Sequence, residues 1–177
     1  PVVTCLLGPI SRRRFGQNQR SIFAFLNSAE PIGFQDFIKN NEYTADISYA
    51  PTDFWRYLRS NLEPIILASP DSHRWSLAID AVERAESFGA LDHHLDILIL
   101  IALITVFSEG YGLEASTEVI RTSLPELKEA QIKSGLKDLE RWSIVVFRKH
   151  LQAYALFAGS DFDFEKAFQQ AAEKKPE

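Results

Sequence analysis

Two groups of side chains in this sequence have the types and spacing that could do chemistry. The first is Arg12-Arg13-Arg14 with Arg20. A guanidinium is planar, permanently charged and suited to bidentate contact with a phosphate. Three consecutive arginines on a helix point in different directions, so they cannot all serve one ligand. The second group is Asp92-His93-His94 with Asp96, a cluster of metal-ligand residue types. Helical spacing puts Asp92 and Asp96 on one side and turns the adjacent histidines about 100° apart, so no three of these groups converge easily on an ion. The preferred reading is a polar first turn with acids near a helix N-terminus, and no metal site. The sequence contains no Walker-type phosphate loop, dinucleotide fingerprint or nucleophile-elbow serine, which points to a non-catalytic chain.

Charge distribution adds a third set of candidates. Residues 1–29 carry four arginines and no acid, and residues 30–126 hold sixteen acids against six bases. Residues 128–150 swing back, with six bases against three acids. Lys133, Lys137, Arg141, Arg148 and Lys149 are therefore the candidate contacts to nucleic acid or to a protein partner.

These residues need elements to position them. Gly8-Pro9 punctuates the start, and Ile10 to Leu26 reads as a helix with Phe15, Ile22, Phe23 and Leu26 on its apolar side. A short helix follows from Phe34. A third opens at Pro51 with Thr52 as its cap and ends before Pro64. Ser69 as N-cap, Pro70 and Asp71 begin a fourth, which Gly89 terminates. From Leu91 three helices follow, Leu91 to Phe107, Ser116 to Leu124 and Lys128 to Trp142, with Pro125 between the last two. Two β-branched and aromatic runs, Ser143 to Lys149 and Leu151 to Phe157, flank a basic turn at Lys149-His150 and predict a hairpin. Three helices followed by a hairpin is the winged helix-turn-helix order. In the third of these helices Ile132, Leu136 and Leu139 form a buried stripe, which leaves Ala130, Ser134, Lys137 and Arg141 on the outward side. Trp75, Ile79, Val82, Ile101 and Ile104 complete the expected core. Ser160 to Ala172 reads as a capped amphipathic helix.

The fold class that follows is mainly α, a helical bundle over residues 1–89, then a winged helix-turn-helix over 90–158 with one antiparallel hairpin, then a C-terminal helix and tail over 159–177. Apolar residues make up 46% of the chain, enough for a folded core. A single cysteine, Cys5, and the lack of a leader-like segment place the chain in a reducing cytoplasm. The most apolar stretch, Ile97 to Phe107, is too short to span a bilayer, so no membrane partner is expected. The chain starts at Pro1 and contains no methionine, so it is expected to be a piece of a larger protein.

The run from Leu7 to Leu26, LGPISRRRFGQNQRSIFAFL, resembles the segment that follows the P-loop core in large prokaryotic ATPases of the AAA/STAND kind, several of which belong to defence or stress systems. The runs LERWSIVVFRKH (139–150) and GSDFDF (159–164) are similar to the winged helix that follows it there. The resemblance implies a helical lid and a winged helix whose nucleotide-binding core lies elsewhere in the same chain. It also implies that an arginine of the lid, Arg20 or one of Arg12, Arg13 and Arg14, senses the terminal phosphate. ATP and Mg would then belong to the full-length protein, with no cofactor in this part. Three functions compete: a regulatory module coupling nucleotide state to neighbouring domains, a DNA-binding module using the third helix and the basic turn, and a protein-interaction scaffold. Nucleic acid ranks behind the missing core and other protein domains as a partner.

Overall fold

A computed structural model describes residues 2–12, 25–27, 30–42, 48–107 and 111–159. Among these residues the chain is mainly helical, with one two-stranded antiparallel hairpin after the helices. Helix α1 (Val2–Arg12) starts earlier than the sequence suggests and runs through Gly8-Pro9. The reason is burial. Val2, Leu6 and Ile10 recur one helical turn apart and are all buried, and at about 1.5–3 kcal/mol each this outweighs the roughly 3 kcal/mol that an interior proline costs. The remainder of the helix expected to reach Leu26 lies largely outside the described residues, as does the helix expected from Ser160.

Helix α2 is Phe34–Asn40 and α3 is Pro51–Tyr57. Pro51 sits at the first position of α3, and the N-cap is Ala50 where Thr52 was expected; the Asp53 carboxylate accepts the Ala50 N–H at 3.1 Å. Instead of stopping, the chain winds through one π-helical turn, Leu58–Leu62, into α4 (Glu63–Leu67), which has Pro64 in its first turn, where a missing N–H leaves no bond unmade. This route keeps Leu58, Leu62 and Ile66 buried on one side.

Helix α5 (Ser72–Ser87) has Asp71 as its N-cap, two residues after the expected Ser69, whose Oγ accepts the Asp71 N–H at 3.1 Å in the preceding turn. At its other end Gly89 has φ +78°, and the Ala90 and Gly89 N–H groups donate to the Ala85 and Glu86 carbonyls at 3.1 and 2.9 Å. That is the glycine-terminated stop the sequence predicted. Trp75, Ala78, Ala81, Val82 and Ala85 are buried, whereas Ile79, expected in the core, flanks this stripe and is half-buried.

Helix α6 (Asp92–Phe107) is the organising element. The continuous run Ile97 to Ile104 is buried without a polar face, the signature of a helix surrounded on all sides. It packs against α1, α3, α5, α8 and β2. The boundary drawn at residue 89 falls at the glycine turn, and the apolar core continues across it. Among the described residues no helix is long and apolar enough to cross a membrane.

Helices α7 (Thr117–Ser123) and α8 (Glu129–Arg141) follow. Ser116 Oγ caps α7 by accepting the Val119 N–H at 3.2 Å. Strands β1 (Val145–Arg148) and β2 (Ala153–Leu156) pair from Val145↔Leu156 to Arg148↔Ala153 across a turn that holds Lys149 and His150. Tyr154 also pairs with Ala115, whose carbonyl accepts the Tyr154 N–H at 3.0 Å, tying the outer edge of β2 to the segment before α7.

Candidate functional site

The outward face of α8 is where the structure gathers most of the described candidate contacts. Ile132, Leu136 and Leu139 are buried, and Ala130, Lys133, Ser134, Lys137 and Arg141 are exposed. This is the division the helical spacing predicted. Several of the cations are already paired. Lys133 Nζ lies 3.5 Å from Glu129, whose other oxygen is 3.5 Å from Arg121 of α7; Arg121 in turn reaches Glu118 at 2.8 Å. Arg141 lies 3.0 Å from Asp138. Lys137 and, at the hairpin turn, Lys149 are exposed, and Arg148 is half-buried at the end of β1. At the leading end of α8, Gln131 turns its amide oxygen back to accept the Lys128 N–H at 3.0 Å, closing a cap rather than facing outward.

The arginine group is placed differently. Arg12 ends α1, and Arg13, Arg14 and Arg20 lie outside the described residues. The chain beyond them is held where Phe25 enters an aromatic cluster, with ring centroids 4.9–6.0 Å from Tyr57, Phe54, Tyr49 and Phe34. Burial and the hydrogen bond that Tyr57 donates to Glu30 at 2.7 Å push the Tyr57 phenol far above its ordinary range, so it stays a neutral donor.

At the start of α6 the two histidines separate in role. His94 is buried; its Nδ1 accepts the Leu91 N–H at 2.9 Å and its Nε2 lies 3.4 Å from Asp138. The His93 ring lies against it at 4.0 Å. Burial, and then the neighbouring His94, lower the His93 pKa, against opposing pulls from Asp138 and Asp92. Asp96 is raised by burial first, then by Glu126 and Asp92, with Arg56 acting the other way. Among the described residues no three His, Cys, Asp or Glu groups could hold a metal ion.

Two residues that sequence reasoning missed join α5, α6 and α8. Gly135 lies buried where α8 meets α6: a Cβ there would stand 2.7 Å from Ile97 Cδ1 and 3.3 Å from His93 Cδ2. A lone glycine inside a strong helical pattern was the available signal. Arg84 of α5 donates to the Ser143 carbonyl at 2.9 Å, just past the end of α8. Nothing local in the sequence marks that contact. Beside it, Phe88 stacks on Trp142 at 5.6 Å and 8°, with Phe88 and Leu91 exposed. A cleft of about 290 Å³ lies among Val2, Val3, Tyr49, Pro51, Ser123 and Glu126, but the Tyr49 and Ser123 hydroxyls in it already donate to the Ile32 and Val119 carbonyls.

Comparison of the chain with family models, with curated proteins and with solved structures produced no match.

Proposed function

We propose that this chain is a non-catalytic coupling module, in which a winged helix formed by α6, α7, α8 and the hairpin is built into the same core as the helices before it. The observation that carries the reading is the position of α6, which contacts α1 and α3 of the N-terminal part as well as α8 and β2. A displacement of the N-terminal helices is then passed to the α8 surface by close-packed side chains rather than absorbed at a hinge. The nucleotide part of the reading comes from the resemblance of residues 7–26 to the segment beyond a P-loop core, with Arg20, Arg12, Arg13 or Arg14 as the sensor of the terminal phosphate. The presence of ATP and Mg would be confined to that core.

Arginine in a walled cleft, partly desolvated and oriented, contributes far more to phosphate contact than arginine on an open helix. Arg20→Ala in the full-length protein is therefore expected to slow ATP hydrolysis by about tenfold or more, while this chain alone hydrolyses none. Wild-type turnover in Arg20→Ala and in each of the Arg12, Arg13 and Arg14 variants would refute the sensor role. A second reading, a protein-interaction scaffold, is favoured by the exposed Phe88, stacked on Trp142, and the exposed Leu91. The DNA-binding reading has less support, because Lys133 and Arg141 are paired with acids and Gln131 is used as a cap.

A further inference from the structure

We propose that the junction between the start of α6 and the end of α8 is a proton-operated clasp, closed by the neutral ring of His94 and opened when Nδ1 takes a proton. The proposal stands apart from the nucleotide reading. Leu91 is the residue before α6 and His94 is the third residue within it. A side chain at this position commonly reaches back to accept the N-cap N–H, and the usual residue is Glu or Gln, which accepts at any mild pH. Here the acceptor is an imidazole nitrogen, with Leu91 N–H donating to His94 Nδ1 at 2.9 Å. That bond requires Nδ1 to be bare, so the ring proton sits on Nε2 and faces Asp138 Oδ2 at 3.4 Å. One ring thus joins the backbone at the start of α6 to a side chain of α8.

Protonation at Nδ1 replaces this contact with two donors facing each other. The ring is buried, so the new N–H has no water to turn to. The groups around it are mixed. On its own helix, His93 packs against it at 4.0 Å and Asp92 lies two residues away, and the positive end of the helix dipole opposes a cation in the first turn. From α8, Asp138 favours the cation, but at a distance longer than a charge-assisted bond, and its other oxygen is 3.0 Å from Arg141. The Trp142 ring lies 5.1 Å away, and from α5 Arg84 reaches the Trp142 and Ser143 carbonyls. A Cβ at Gly135 would stand 3.3 Å from His93 Cδ2 and 3.8 Å from His94 Cδ2, so α8 packs directly against both rings. The ring must therefore leave its seat, which releases the first turn of α6 and the end of α8 together, including Arg141 on the outward face.

The test is amide hydrogen exchange of this chain, corrected for intrinsic rates, combined with nitrogen NMR of the histidine rings. Over the range in which the ring-nitrogen spectra themselves report protonation of His94, the Leu91 amide and the first turn of α6 should lose protection about tenfold or more. His94→Asn keeps an acceptor near the place of Nδ1 and removes the titration, so its exchange should not change with pH. His93→Asn should retain the wild-type response. Equal pH dependence in His94→Asn, or its loss in His93→Asn, would overturn the proposal. Should His94→Asn fail to fold, the wild-type spectra decide. A proton on Nδ1 at neutral pH, or a Leu91 amide unaffected as His94 titrates, would equally overturn it.

Discussion

Gly135→Ala is the sharpest test of how α8 sits on α6. In a helix exposed to water this change stabilises, because alanine is better than glycine by about 0.5–1 kcal/mol. At position 135 the new methyl would stand 2.7 Å from Ile97 Cδ1 and 3.3 Å from His93 Cδ2. Ile97 is fully buried, so its terminal methyl has no solvent-side rotamer to take up. Overpacking of this kind costs about 1–3 kcal/mol, which exceeds the propensity gain. A net loss of roughly 0.5–2 kcal/mol is expected in urea unfolding followed by tryptophan fluorescence. Ile97→Val removes the methyl in question and alone should cost about 0.5–1.5 kcal/mol. In the double variant the two changes should offset each other, with a coupling energy of about 0.5 kcal/mol or more. Gly135→Ala as stable as the wild type, or strict additivity with Ile97→Val, would refute the close approach.

Leu136→Ala should cost about 2–5 kcal/mol in the same assay, and a change under about half a kcal/mol would mean that another face of α8 is buried. The raised pKa of Asp96 means that the folded state holds its proton more tightly than the unfolded chain, so this group's contribution to stability is present at low pH and lost as pH rises through the folded value. Asp96→Asn should accordingly raise Tm at neutral pH, by under about 1 kcal/mol or roughly 2 °C, and the gain should vanish below about pH 4; a lowered Tm at neutral pH would contradict this. Duplex DNA should bind weakly and without sequence preference. If Lys128, Lys137 and Lys149 neutralise about three phosphates, affinity should fall with roughly the 2.7 power of salt concentration. A nanomolar, sequence-selective complex abolished by Lys137→Ala with Arg141→Ala would instead establish DNA readout.

The elements from Leu91 onward were legible because each is written in local signals: Ser116 as a cap, the Ile132, Leu136 and Leu139 stripe, and β-branched runs on either side of a basic turn. Gly89 was legible for the same reason, since a positive φ at a helix end is a local demand. The N-terminal elements were harder. Pro9 reads as punctuation before a helix and Pro64 as a stop, yet burial of Leu6 and Ile10 carries α1 through the first, and a π turn sets the second into the opening of α4. Both outcomes depend on partners distant in sequence. The same holds for the junction at α6. His94 reads as a polar first-turn residue until Asp138, forty-four residues on, is seen beside it.

That distinction also bears on where function resides. A helix with a basic outward face invites the expectation of a nucleic-acid surface, because spacing reports which side chains are exposed but not which neighbours they meet. The pairing of Arg121 with both Glu118 and Glu129, and of Glu129 with Lys133, spans α7 and α8 and could not be read from either helix alone. It commits charges that would otherwise meet phosphates, and Gln131 is committed to the Lys128 N–H in the same way. Exposed ion pairs contribute little to stability, about 0–1 kcal/mol each. Their greater effect is on the field, because each pair cancels at short range what a polyanion would feel from a distance. With Arg121, Lys133 and Arg141 paired to acids and Lys137 and Lys149 exposed, this surface presents mixed charge rather than a uniform cationic field. Helix α6 joins this surface to the N-terminal helices through one core, and the proposed coupling role rests on that continuity.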